Sequence, residues 1–334
     1  MEEPMTTEIS GKRPLVGAKL RVGVVGVGYL GKFHAEKYAR MPDVELVGVA
    51  DQRREQADEI ARKFDTQAFY DHKELIDRLD AVSIAVPTEY HYQISRDFLN
   101  HHVDVLIEKP MTTTLDQAEE LIQIAEQKGC IIQVGHLERY NPAVMALRGV
   151  VDSPRFIESH RLSIFKERGL DVSVVLDLMI HDIDIILNFV PSKIKNIYAA
   201  GVPVISDNAD IANARLEFEN GCVANVTASR ISMKNERKIR MFQKDAYVSV
   251  DFSKREITII HPDGRKSDSI IPGMTIDQRC FTQADALEDE LKSFVKSVIH
   301  RQAPEVTGQM GRDALQIALS IMDQIQRTRD QLLK

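Results

Sequence analysis

The sequence predicts an α/β chain of two domains, the first wound as parallel βαβ units and the second α+β. Three observations carry that prediction. Short apolar runs alternate with helical patterns up to about residue 135, whereas beyond it strand-like segments follow one another with helices held to the ends. The length, 334 residues, is about twice that of a common domain. A polar tail is expected over residues 1–18, the first domain over 19–138 and the second over 139–334.

Leu20-Arg21-Val22-Gly23-Val24-Val25 reads as the first strand, followed by a helix through His34 and Tyr38. Strands are then expected at residues 45–50, 81–86, 103–107 and 131–134, with helices at 55–63, 92–100 and 115–127. These strands are apolar almost throughout, as strands covered on both faces must be. A helix-rich stretch at 172–189 opens the second pattern. Strands follow at 195–204, 211–218, 223–231, 237–243, 247–252 and 256–260, and helices near 284–300 and 311–333 close the chain. Glu219-Asn220-Gly221 and Pro262-Asp263-Gly264 are turn signals of the kind that join hairpin strands.

Lys and Arg number 43 against 50 Asp and Glu, a net charge of −7, which argues against a general nucleic-acid or anionic-membrane binder. No apolar run approaches the length that spans a bilayer, and the first residues hold no secretory signal. Cys130, Cys222 and Cys280 form neither a disulfide framework nor a C-x-x-C pair, so a reducing cytoplasm is the expected setting.

Gly26-Val27-Gly28-Tyr29-Leu30-Gly31 is a G-x-G-x-x-G turn placed directly between the first strand and the first helix. Asp51 stands 20 positions beyond Gly31, at the end of the second strand. Strand, turn, helix and acidic residue together make a dinucleotide fingerprint. Gly26 permits the tight turn, Gly28 lets the backbone approach a pyrophosphate, and Gly31 lets the helix pack closely. The helix N-terminus offers free N–H groups to the diphosphate. Asp51 suits the ribose 2′-hydroxyl of NAD, while Arg53 and Arg54 could meet a 2′-phosphate, which keeps NADP open.

Glu108-Lys109-Pro110 follows a strand and therefore lies where ligands of open α/β sheets bind. Pro87-Thr88-Glu89-Tyr90-His91 ends the third apolar run, a place to touch nicotinamide or its ribose, with Thr88 also readable as a helix N-cap. Asp177, His181 and Asp184 have i, i+4, i+7 spacing and are expected on one face of an apolar helix lining a cleft. A carboxylate one turn from a histidine can orient the ring and raise its pKa. A metal site is the rival reading, but neither H-E-x-x-H nor a cysteine cluster supports it, and no metal is expected.

Taken in order, Gly26-x-Gly28-x-x-Gly31, Asp51, Pro87-Thr88 with His91, Glu108-Lys109-Pro110 and Asp177-x-x-x-His181 resemble the glucose–fructose oxidoreductase / inositol dehydrogenase (Gfo/Idh/MocA) family over nearly the whole chain. The resemblance implies a Rossmann domain and a second domain with an open, mostly antiparallel sheet, whose outer face would form a homodimer or homotetramer. It implies that Lys109, Asp177 and His181 are the catalytic centre, and that Tyr29, Leu30, Arg53, Glu108 and Lys109 join the fingerprint residues around the cofactor. The stretches Gly135-His136-Leu137-Glu138-Arg139-Tyr140-Asn141-Pro142 and 174–184 are similar to the nucleotide-sugar branch, where the C3 hydroxyl of UDP-linked N-acetylglucosamine is oxidised. There the ketone supplies a pyridoxal-phosphate aminotransferase in lipid A assembly.

On that reading His181 is the base, Asp177 orients it and Lys109 stabilises the charge developing on the oxygen; the roles of His181 and Lys109 can also be exchanged. Arg139, Tyr140, Arg161, Lys166, Arg168 and Asp184 flank the cleft-forming segments and are the candidate substrate contacts, the cations for a diphosphate. A free sugar or cyclitol such as inositol, a UDP-hexuronic acid, and a non-catalytic NAD(H) sensor remain alternative readings.

Overall fold

Leu20, Val22, Val24 and Val25 are apolar on both sides of the first strand, a pattern only a central strand of a covered sheet tolerates. The computed structural model describes residues 17–165, 172–262, 271–281 and 284–332. In it this strand is β1 (Leu20–Val25), followed by α1 (Gly31–Arg40), β2 (Val44–Ala50), α2 (Arg54–Lys63) and β3 (Gln67–Phe69). A 3₁₀ stretch over His72–Arg78 leads to β4 (Ala81–Ile84), α3 (Thr88–Asn100), β5 (Asp104–Glu108), α4 (Leu115–Lys128) and β6 (Ile132–Gly135). The strands lie in the order β3-β2-β1-β4-β5-β6, every pair parallel. This is the doubly wound Rossmann order, and the winding reverses between β1 and β4, the place where such sheets bind ligands. Local chemistry agrees at α4: Thr114 accepts from Gln117 N, and Gly129 ends the helix at φ 62°.

The second unit begins with a 3₁₀ turn at Leu137–Tyr140, α5 (Pro142–Met145) and β7 (Phe156–Leu162). A π-helical turn, Val175–Met179, runs into α6 (Ile180–Phe189). Then come β8 (Ile194–Val202), β9 (Ile211–Phe218), β10 (Val223–Ser229), β11 (Glu236–Gln243), β12 (Ala246–Asp251), β13 (Glu256–Pro262) and β14 (Met274–Cys280). Their order is β14-β13-β12-β11-β7-β10-β9-β8, antiparallel except for β7 beside β10. Helices cover one face. Ile183 and Ile186 of α6 pack with Ala214 and Leu216 of β9 and with Ala224 and Val226 of β10. The opposite face is open and carries an aromatic group, Phe156–Phe242–Tyr247, with ring centroids 5.8 and 5.0 Å apart.

The chain ends with α7 (Ala286–His300) and α8 (Gly308–Leu332). An unbroken second domain over 139–334 needs correction here. One compact unit runs to Leu137 and resumes over Leu287–Asp313; the other takes Glu138–Ala286 and the chain from Ala314. The reason is the apolar stripe of α7. Leu291, Phe294, Val295 and Val298, at helical spacing, are buried with Leu20, Val22, Ala35 and Tyr38. From Ala314 onward α8 turns Ala314, Ala318 and Ile321 into the core of the second unit.

Candidate active site

Gly26 sits at φ +82°, and a Cβ there would lie 2.6 Å from Ala85 O. Gly31 is tighter still, since its Cβ would fall 1.7 Å from Gly26 O. Gly28 differs: its Cβ would meet only Arg53 Nη2, at 3.5 Å, so this part of the turn faces open space. The three glycines thus have three separate reasons, and together they leave a cradle for a pyrophosphate over the start of α1. Asp51 is fixed by Val27 N and Arg53 N, each donating at 3.0 Å. It lines, with Gly28, Tyr29, Leu30, Arg53 and Pro87, a cleft of about 860 Å³.

Arg54 is drawn away from a 2′-phosphate role, its guanidinium lying 4.3 Å over the Tyr70 ring. Tyr70, His72 and Lys73 also line this cleft and were not legible as site residues, because they lie on the short β3 connection. Gly31→Ala is expected to weaken NAD binding by about tenfold, ~1.4 kcal/mol, and to lower stability by about 1–3 kcal/mol. Fluorescence titration with NADH and urea unfolding measure the two effects.

His91 is not at the cofactor surface. It is fully buried, its ring nitrogens 2.9 Å from Pro110 O and 2.8 Å from Val86 O. It ties the loop after β4 to the loop after β5, which positions Pro87 and Lys109. Burial pulls its pKa below the ordinary value, against the two carbonyls and Glu108. Thr88 is not the cap of α3; Pro87 holds that position and Thr88 is the first helical residue. Glu108 turns inward as well, its Oε1 3.1 Å from His34 Nε2. Burial pushes the Glu108 carboxyl upward, but the His34 hydrogen bond and the charges of His34, Lys109 and His91 hold it below its usual value. Lys109 is half-buried at the carboxyl end of β5.

In the second unit Asp184 parts from the expected stripe with Asp177 and His181. The π-helical turn holds one extra residue per turn, so the α-helical count from Asp177 to Asp184 does not hold. Asp177 and His181 are half-buried, whereas Asp184 is fully buried. Asp184 takes a bidentate pair from Arg139, Nε at 2.6 Å and Nη2 at 3.0 Å. Arg161 binds Asp182 in the same way, at 2.8 and 3.0 Å, and gives Nη1 to Glu138 at 2.8 Å.

Arg139 and Arg161 are therefore corrected from diphosphate ligands to interior counter-ions, and Asp184 from a substrate contact to Arg139's partner. Tyr140 is buried too. Burial opposes the charge of Arg161, but Asp182 and Glu138 outweigh it and raise its pKa; Arg161 in turn holds Glu138 low against burial. Lys166 and Arg168 lie outside the described residues. Among the described residues no helix is long and apolar enough to cross a membrane.

A glycine turn shaped for a diphosphate at the reversal of a doubly wound sheet, with a lysine at the next strand end, defines a nicotinamide-dependent oxidoreductase. Residues 20–136 match the oxidoreductase family model with the NAD-binding Rossmann fold, and residues 143–249 match the GFO/IDH/MocA C-terminal domain. The chain belongs to the GFO/IDH/MocA oxidoreductase family. It is 37% identical over 303 residues, 90% of this chain and 96% of the other, to the UDP-N-acetylglucosamine 3-dehydrogenase of Acidithiobacillus ferrooxidans. A solved structure of that enzyme superposes with a TM-score of 0.86 at 35% identity, covering 92% of this chain and 98% of that one. The myo-inositol 2-dehydrogenase of Thermotoga maritima is 24% identical over 331 residues, 93% of this chain and 97% of its own length.

Proposed function

We propose that this chain oxidises the C3 hydroxyl of UDP-N-acetylglucosamine to the 3-ketone. The observation that carries the reading is the 37% identity, sustained over 90% of the chain, to a dehydrogenase of that substrate. NAD, when bound, supplies the hydride acceptor. Asp51 favours it over NADP, because a fixed carboxylate accepts from a 2′-hydroxyl and repels a 2′-phosphate. His181 takes the proton of the C3 hydroxyl, and Asp177 orients the ring. Lys109 donates to the same oxygen and offsets its growing charge.

The ketone product suits a pyridoxal-phosphate aminotransferase, which places the reaction before the diamino sugar of lipid A. The open face of the second sheet, with Phe156, Phe242 and Tyr247, suits a homodimer or homotetramer. The three free cysteines suit the cytoplasm.

The test is incubation with NAD⁺ and UDP-N-acetylglucosamine, a UDP-hexuronic acid, inositol or free glucose, following reduced nicotinamide in the presence of a ketone trap. Turnover with UDP-N-acetylglucosamine and none with inositol is the expected result. Turnover with inositol alone would favour the cyclitol reading that the Thermotoga relative suggests. Cofactor binding with no turnover would point to an NAD(H) sensor.

A further inference from the structure

Glu290 lies in α7 with no exposed surface, and neither of its carboxylate oxygens has a hydrogen-bond partner among the described residues. Its backbone carbonyl accepts from Gln133 Nε2 at 3.1 Å, and Gln133 Oε1 also lacks a partner there. A fully buried carboxyl without a cation or donor is stable only in its neutral form.

Two ionisable groups face it. Glu108 approaches from β5, already engaged with His34 on its other side. Tyr38 approaches from α1, its hydroxyl 2.8 Å from Ser83 Oγ. Neither is a cation. Among the described residues, the charge interactions that lower the Glu108 carboxyl come from His34, Lys109 and His91. Burial first, and then repulsion by Glu108, raise the Glu290 carboxyl well above its ordinary value, the opposite of what happens to Glu108. Two neighbouring carboxyls with environments this different hold one proton and one charge between them.

We propose that Glu290 is a positioning residue, carrying a proton behind Glu108 so that Lys109, the next residue along, faces one negative charge rather than two. A second anion there would tighten the hold of Lys109 on its proton and draw His34 away from a single partner. The effect on rate rests on the dehydrogenase reading; the proton itself does not.

Infrared difference spectra of the full chain with NADH test the proton directly. The wild type should show a protonated-carboxyl band at neutral pH that Glu290→Gln lacks. Spectra unchanged by the substitution overturn the proposal. Thermal unfolding gives a second readout. The folded carboxyl stays protonated while the unfolded one ionises above its ordinary 4.5, so the wild type loses stability relative to Glu290→Gln as pH rises.

The Tm advantage of the Gln variant should widen by about 2–4 °C from about pH 5 to about pH 8. A constant or closing gap contradicts a buried proton. Gln reproduces the neutral carboxyl, so the basic limb of kcat in Glu290→Gln should coincide with that of the wild type, with KM for NAD changed less than about twofold. A basic limb displaced by about one pH unit would show a second charge beside Lys109 in the wild type and would overturn the proposal. Absence of turnover in both proteins would overturn the dehydrogenase reading and with it the role of Lys109, while the infrared band still decides the proton.

Discussion

Arg161→Met is expected to destabilise the second unit by about 3–5 kcal/mol, because it leaves buried carboxylates without their cation. Arg161 bridges Asp182 and Glu138, at 2.8 Å to each. The loss should depend on pH with a definite sign. Arg161 holds the Glu138 carboxyl below its ordinary 4.5 in the folded chain. That part of the stability is present above 4.5 and disappears as pH falls through the lower folded value. The gap between wild type and variant in urea unfolding should therefore narrow on acidification. Adding Asp182→Leu should recover part of the loss, as apolar replacement of a buried ion pair does in other proteins. A small, pH-independent loss would mean that the pair is dispensable.

His181→Asn is expected to lower kcat by about 10²–10⁴-fold with little change in KM for NAD, the range for loss of a positioned general base. Lys109→Ala should lower kcat comparably through loss of oxyanion stabilisation. The two differ in pH profile: the variant lacking the true base loses the acidic limb, and the other keeps it. If both retained near-wild-type kcat, the catalytic centre would lie elsewhere in the chain.

The first unit was largely legible because its signals are local. An apolar strand, a glycine turn and an acidic residue 20 positions on need no knowledge of the partner strands. β7 was illegible for the opposite reason: its buried face is Ile157, Ser159 and Arg161, so the alternation of apolar and polar residues is hidden. β14 is a polar terminal strand of the sheet, and β3 is three residues long.

In the site, spacing predicts Asp184 beside Asp177 and His181, and it is instead paired with Arg139. The α-helical count fails across the π-helical turn; of the acidic residues at 182 and 184 only Asp184 is expected on the cleft-lining face, and both are buried. Their position in an otherwise Ile- and Leu-rich helix was the missed signal, since carboxylates buried there require cations. Arg139 and Arg161 are those cations. His34, Gln133 and Glu290 escaped notice because each belongs to a segment that reads as ordinary helix or strand.

The return of α7 to the first unit also governs the order in which the chain can be made. Synthesis from the N-terminus releases β1 to β6 early, but Leu291, Phe294 and Val298, which cover Leu20, Val22 and Tyr38, emerge only after the whole eight-stranded sheet. Until then the nascent Rossmann sheet has an uncovered apolar flank, the condition under which chaperones engage and aggregation begins. A chain terminated at the end of β6 would keep that flank permanently. The cofactor half, first to be translated, is the half that must wait.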